Sequence, residues 1–526
     1  MTADTGYDQR NEFRNQRLTD FSDPANRAAM EEALETVGGE LGKTYPLIIG
    51  GERVTEGETK ASVNSADPSQ VVGEFVRGRA DDADRALAVA TETFETWKRV
   101  PYTERAEYLF KAAEAMTRRR LELAAWQVYE VSKSWVEADA DVAELIDFAN
   151  WYAHQMLRIG GRQEVVPFPG EDNELRYIPL GVTVVIPPWN FPGAIMGGMT
   201  LAAIVAGNTT VLKPASTAPV VAAKFAELMM GDEVGLPEGV LNYLPGPGSQ
   251  IGDKLVDDPR TRMIAFTGSK EVGLRIFERA AKVHPGQKWL KRTILEMGGK
   301  DALIVDETAD LELAADAIVT SAYGFQGQKC SACSRAIVVE DVYDDVLERV
   351  VEKAKGLTMG DTTDPDTYMG AVIDEAAKRK IAEYIEIGKQ EGELVLGGGV
   401  AEEGGYFIEP TIIKDVDPNA RVAQEEIFGP VLAFIRARDF DHALEIANGT
   451  EYGLTGGVIS SERDRLERAR HEFHVGNLYF NRKITGALVG VQPFGGFNMS
   501  GTDSKAGGED YLLLFTQAKS IAEREL

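Results

Sequence analysis

From Gly181 onward short β-branched runs alternate with helical segments, and this alternation limits the chain more than any other feature. The run at 182–186 precedes a helical stretch at 194–206, and 209–212 precedes 220–230. The pattern repeats with 240–244 before 250–256 and with 263–266 before 270–283. Such alternation predicts a parallel sheet with helices on both faces. A second region of the same kind holds 302–305, 311–323 and 336–339, and continues through 342–356 and 381–389 to 431–435. The expected fold class is therefore α/β with two units, the first ending near Leu295. Upstream, 28–36 and 81–157 read as helical, with apolar residues spaced by three and four in 86–97, 105–116 and 121–131. Residues 160–179 mix Gly, Pro and alternating polar residues, as a projecting hairpin does. There is no internal repeat and no low-complexity tract.

Composition narrows the setting. The 526 residues suffice for two or three domains. No stretch approaches the roughly 18–20 apolar residues that cross a bilayer. The N-terminus to Asp23 is polar, without the apolar core of a secretory signal. Two cysteines in so long a chain argue against a disulfide scaffold and predict a reducing cytoplasm. Asp and Glu number 84 against 56 Lys and Arg, a net charge of −28. That field repels nucleic acid and anionic membrane, so neither is expected as a partner. The acids are scattered along the chain, and Arg exceeds Lys. This favours a surface adapted to high salt over a merely acidic enzyme.

Several short segments carry chemistry. No G-x-G-x-x-G follows a strand. Instead Phe266-Thr267-Gly268-Ser269 closes a strand and opens a helix, whose free N–H groups attract phosphate. Gly246-Pro247-Gly248-Ser249 does something similar one unit earlier. Each alone is more often just a turn. Lys213-Pro214 ends another strand of the same sheet, where open α/β sheets bind ligands, although a lone lysine there is more often solvated.

Cys330 lies in Gly327-Gln328-Lys329-Cys330-Ser331-Ala332-Cys333. A reactive cysteine must be a thiolate, and Lys329 supplies a neighbouring positive charge. Cys330 and Cys333 also read as a redox pair, or as half of a zinc site with His471 and His474. Taken alone, Cys330 reads first as a buried structural residue. Glu296-Met297-Gly298-Gly299-Lys300 follows a strand and suits a general base, or else an ion-paired junction carboxylate. Pro187-Pro188-Trp189-Asn190-Phe191-Pro192 suits an amide donor fixed where an oxyanion develops, or else a structural turn.

Taken together and in this order, these motifs resemble the aldehyde dehydrogenase superfamily over 179–504. A further matching segment is Glu425-Glu426-Ile427-Phe428-Gly429-Pro430. The resemblance implies a Rossmann-type cofactor domain, an α/β catalytic domain and an oligomerisation β-hairpin. It divides the chain into 1–159 with 180–295 for the cofactor, 296–484 for catalysis, and 160–179 with 507–526 for oligomerisation. It implies a homo-oligomer, a small aldehyde substrate, a cysteine thioester, NAD as cofactor and no metal. Cys330 would be the nucleophile, Asn190 the oxyanion donor and Glu296 the base. Lys213, Ser216, Gly246, Phe266, Gly268, Ser269, Glu426 and Phe428 would hold the cofactor. Ser216 stands where NAD-preferring relatives often carry an acid, so NADP is expected to be accepted as well.

Among subfamilies, the segments Phe13-Arg14-Asn15, Phe21-Ser22-Asp23-Pro24 and Thr485-Gly486-Ala487 are similar to those of L-glutamate γ-semialdehyde (1-pyrroline-5-carboxylate) dehydrogenases. In that family Ser331, Gly486 and Ala487 would bind the α-carboxylate, with Lys329 adding charge. Phe191 and Phe494 would flank the aliphatic chain, and Glu144 would face the ammonium. An aldehyde dehydrogenase for another small or aromatic aldehyde is the runner-up, and a C-x-x-C redox or metal-binding protein the alternative of another class.

Overall fold

The computed structural model describes residues 10–524. Residues 1–9 of the first expected domain and 525–526 of the last lie outside the described residues. Two seven-stranded sheets organise the chain. In the first, Val182–Ile186 is flanked by Thr261–Thr267 and Thr209–Leu212, all parallel. Arg292–Glu296 and Leu241–Tyr243 extend it on either side, also parallel. Near-continuous apolar strands such as Val-Thr-Val-Val-Ile suit a sheet covered on both faces.

The alternation from Gly181 onward therefore marks real strands and helices. One element differs: the segment at 250–256 begins as a π-turn at Gly248–Gly252 before an α-helix at Asp253–Asp257. The polar N-terminal region also holds more than helix. Leu47–Ile49 and Glu52–Val54 add an antiparallel edge to the first sheet, and Thr44–Tyr45, Thr59–Val63 and Val71–Val76 form a small sheet. These strands are two to six residues long and carry little alternation for sequence to reveal.

Of the N-terminal helices, Ala80–Trp97 packs on the first sheet, while Tyr102–Arg118, Arg120–Val131 and Trp135–Ile159 pack on the helices Ala194–Val205 and Pro219–Met230. Pro24–Gly38 starts with proline and is capped by Asp23, whose carboxylate accepts from the Ala25 N–H. Trp135–Ile159 lies against Ala194–Val205, a helix buried all round. Gly197 permits that approach, since a Cβ there would stand 2.0 Å from Leu145 Cδ1. The second sheet is parallel over Thr411–Lys414, Val431–Ala437, Cys333–Val339, Asp301–Val305, Thr455–Ile459 and Asn477–Phe480. The chain leaves the first sheet at Glu296 and enters the second at Asp301. Carboxyl ends of the first sheet's strands thus face amino ends of the second's. Finally, Glu171–Pro179 pairs antiparallel along its whole length with Thr516–Arg524, so the expected projecting arm is joined by the C-terminal strand.

Candidate active site

The parallel register of the first sheet aligns five strand ends along one rim: Glu296, Gly268, the Trp189-Asn190 loop, Lys213 and Gly246. Sequence placed these residues at separate strand ends, and the sheet brings them together.

Asn190 is buried, and its Nδ2 donates to the Gln328 carbonyl at 3.0 Å, two residues ahead of Cys330. The loop before the cysteine is strained. Phe325, Gln326 and Gly327 have φ of 50°, 56° and 67°, and two of the three carry a Cβ that disfavours this region. Distant backbone over-determines it. Gln326 Nε2 donates to the carbonyls of Ser132 and Ala371, both at 2.9 Å, and Gln328 Oε1 accepts from the Ile373 N–H at 2.9 Å. The Phe325 ring meets Trp189 and Phe191, each with centroids 6.4 Å apart, and Trp189 meets Phe428 at 5.6 Å.

Cys330 is half-buried and free. Burial raises its thiol pKa above the ordinary range, and the carboxyls of Asp301, Glu296 and Glu426 raise it further. The expected help from Lys329 is already engaged. Its ammonium lies 2.6 Å from Glu137 Oε1, a partner that sequence reasoning missed because it sits 192 residues away. Cys333 opens a core strand with its Sγ 3.5 Å from the Arg335 carbonyl. His471 lies on the helix Arg463–Glu472, and His474 packs on Phe497. Among the described residues no group of three or more His, Cys, Asp or Glu is placed to hold a metal ion.

Glu296 is parked, not loose. Its carboxyl accepts from the Ser504 hydroxyl and, at 3.3 Å, from the Gly496 N–H. Burial pushes its pKa to about 8, against the lowering effect of those two donors. Ser504 and Gly496 lie beyond the reach of any local motif.

At the strand ends expected to hold a cofactor, Lys213 is buried, and its nearest acceptor is the Pro214 carbonyl at 3.4 Å. Among the described residues no carboxylate pairs with it, and burial lowers it to about 8. Such an unsatisfied ammonium at a strand end fits a ligand hydroxyl. Ser216 is half-buried beyond it. Gly246 is buried against Gly78, with no room for a Cβ. Gly268 donates its N–H to the Glu296 carbonyl and packs on the Phe266 ring. Ser269 caps the following helix, its Oγ accepting from the Val272 N–H at 3.4 Å. Glu426 Oε1 accepts from the Gly299 N–H at 3.1 Å, and burial raises its carboxyl pKa. Its carboxylate sits where a Cβ on Gly298 would fall, which explains that glycine. Phe428 has a φ of 62°.

Ser331 is buried next to Cys330. Gly486 adopts a φ of 75° in an exposed loop, with Ala487 half-buried after it. Phe494 is held by a β-bridge to Ala506. Phe191 receives the Lys133 ammonium 4.2 Å from its ring centroid. Glu144 lies on the helix Trp135–Ile159, where burial and then the nearby Asp141 push its carboxyl to about 8. A second missed feature is the fully buried pair of Lys133 Nζ and Asp141 Oδ2, at 2.5 Å. Asp141 also accepts from the Ala194 N–H and so ties this pair to the helix behind Asn190.

Comparison with known proteins agrees with this arrangement. The aldehyde dehydrogenase family profile matches residues 54–521. A 1-pyrroline-5-carboxylate dehydrogenase of Geobacillus sp. (strain WCH70) is 62% identical over 511 residues, spanning 97% of this chain and 99% of the relative. A relative of the same description from Halalkalibacterium halodurans is 58% identical over the same shares of each chain. The solved structure of 1-pyrroline-5-carboxylate dehydrogenase from Thermus with bound NAD superposes with a TM-score of 0.95. It is 55% identical, over 97% of this chain and 99% of that one. Betaine aldehyde dehydrogenase of Staphylococcus aureus in complex with NAD+ is 28% identical with a TM-score of 0.87, over 94% and 97%.

Proposed function

Because this chain belongs to the aldehyde dehydrogenase family, we propose that it oxidises L-glutamate γ-semialdehyde, the ring-opened form of 1-pyrroline-5-carboxylate, to L-glutamate with NAD, as a step of proline breakdown. The observation that carries the chemistry is the meeting of Asn190, Glu296 and the Cys330 loop at one rim between two sheets. The substrate follows from the names borne by relatives 58–62% identical over nearly the whole chain.

The Cys330 sulfur, once deprotonated, adds to the aldehyde carbon. The carbonyl oxygen becomes an oxyanion, which the Asn190 amide and the Cys330 N–H hold. When bound, the dinucleotide supplies the hydride acceptor that turns this adduct into an acyl thioester. Lys213 and Glu426 offer it ribose partners, the turns at Gly246, Phe266, Gly268 and Ser269 a phosphate path, and Phe428 a wall. Glu296, ionised, takes a proton from water as that water attacks the thioester. The C–S bond breaks, the acid leaves, and the proton on Glu296 is available to the departing sulfur. Ser331, Gly486 and Ala487 receive the α-carboxylate, Phe191 and Phe494 the methylenes, and Glu144 the ammonium.

In this reading residues 1–159 and 180–295 bind the cofactor and 296–484 carry catalysis. The paired strands in 160–179 and 507–526 join copies of the chain into a homo-oligomer. Among the described residues no helix is long and apolar enough to cross a membrane, and we place the enzyme in the cytoplasm. The charge of −28 fits a surface adapted to high salt, so melting temperature rises in molar potassium chloride; an unchanged value contradicts that adaptation.

Steady-state NADH formation tests the function. Glutamate semialdehyde should exceed succinic semialdehyde and benzaldehyde by at least about a hundredfold in kcat/KM, because only it fills the carboxylate and ammonium subsites. Equal values for all three would overturn the substrate. With Ser216 in place of an acid, NADP should give a kcat/KM within roughly tenfold of NAD.

A further inference from the structure

Three lysines, Lys133, Lys329 and Lys483, gather around Glu137 near the Cys330 loop. Lys329 and Glu137 neutralise one another at 2.6 Å, and Lys133 and Asp141 do the same at 2.5 Å. A third ammonium lies near them, within range of Glu137 and Lys329. Lys483 makes no ion pair among the described residues. Its Nζ stands 3.8 Å, and its Cε 3.6 Å, from the point where Gly486 would carry a Cβ. Lys483 is exposed on its solvent side; burial of the rest and then the neighbouring Lys329 lower its pKa, while Glu137 raises it. The loop bearing it is stitched in place by Arg482. The guanidinium of Arg482 donates to the carbonyls of Lys483 and Thr485, both at 3.0 Å, and to that of Gly486 at 3.4 Å, and it stacks 4.7 Å over the Tyr479 ring. Gly486, in the left-handed region, turns the peptide that follows. The arrangement is thus a turn stitched by Arg482, with the Lys483 ammonium at its edge beside Gly486. Lys483 is exposed and makes no direct ion pair among the described residues, so its ammonium is open to an anionic group that seats on the Gly486 turn.

We propose that Lys483 is a specificity-determining residue that supplies the counter-charge for the substrate's α-carboxylate, while Gly486 and Ala487 orient that group by hydrogen bonds. This rests on the proposed substrate, and it moves the electrostatic role from Lys329, which Glu137 already neutralises, to Lys483. Lys329 then serves to hold Glu137 and the cysteine loop in register.

The test compares Lys483→Gln and Lys483→Arg with the unaltered enzyme on glutamate semialdehyde and on butanal, which lacks the carboxylate. Lys483→Gln should lower the ratio of kcat/KM for the semialdehyde to that for butanal about tenfold, chiefly through KM, and Lys483→Arg should restore most of it. A ratio within twofold of the unaltered enzyme's overturns the assignment, as does an equal loss on both aldehydes. Binding of glutarate, read as a thermal shift, needs no turnover. It should weaken about tenfold in Lys483→Gln, and unchanged binding again counts against Lys483. If the unaltered enzyme fails to oxidise glutamate semialdehyde at all, the proposed substrate falls, and the glutarate titration alone decides the anion site.

Discussion

The two sides of the cleft are built in opposite ways. The proposed cofactor side is a row of strand ends in which each residue stands where its own strand puts it: Lys213 after 209–212, Gly246 after 241–243, Gly268 after 261–267. The side of the proposed nucleophile is a loop that its own sequence does not hold. Phe325 and Gln326 take left-handed conformations; the Ser132 and Ala371 carbonyls clamp Gln326, and the Ile373 N–H clamps Gln328 just beyond. A binding rim tolerates local error because the ligand supplies part of the order. A nucleophile that must meet a carbon, an oxyanion donor and a base has no such margin.

Substitutions can break that contrast. Cys330→Ala should remove turnover by at least about a thousandfold while leaving NAD affinity, read by fluorescence titration, within about twofold. A matching loss of NAD binding would mean that the two sides are not separable. Gln326→Ala comes next. It strips the donors from two buried carbonyls, so stability should fall by about 2–4 kcal/mol in a denaturant titration. Residual kcat should fall about tenfold or more as the loop relaxes. Lys213→Met, on the other rim, should raise KM for NAD about tenfold, leave kcat within about threefold and cost little stability. If Lys213→Met lowered kcat and stability as Gln326→Ala does, the comparison would fail.

The smallest effect concerns pH. In the proposed mechanism Glu296 must be ionised to activate water, and burial outweighs the Ser504 and Gly496 donors to push its carboxyl to about 8. Activity limited by deacylation should therefore rise through pH 7 to 9 as Glu296 loses its proton. Ser504→Ala removes a donor that favours the charged form, so the folded pKa climbs further. The acid limb of the kcat profile should move up by about half a unit to one unit. A downward shift would show that Ser504 does not hold Glu296 in the working enzyme.

This contrast also explains what the sequence could reveal. Strand ends were legible because a β-branched run followed by Gly, Lys-Pro or Glu-x-Gly-Gly is a local pattern, and the parallel sheet does the rest. The long helices from 80 to 159 were legible from three- and four-residue spacing. The short strands at 44–54 were not, since two or three residues carry no period. Nor were the partners that set charge. Glu137 on Lys329, Asp141 on Lys133 and Ser504 on Glu296 are joined by tertiary packing alone. Lys329 shows the consequence: adjacency to Cys330 predicted an activating charge, and a residue 192 positions away had already claimed it.

The central claim is that Cys330 carries the acyl group and Glu296 releases it. Glu296→Gln, mixed with NAD and glutamate semialdehyde and quenched in acid, should yield one glutamyl adduct per chain on the peptide containing Cys330. It should appear with a burst of NADH, while the doubly substituted Cys330→Ala, Glu296→Gln protein yields neither. Continuous NADH formation by Glu296→Gln at the unaltered rate with no adduct, or an adduct on another residue, would contradict the account.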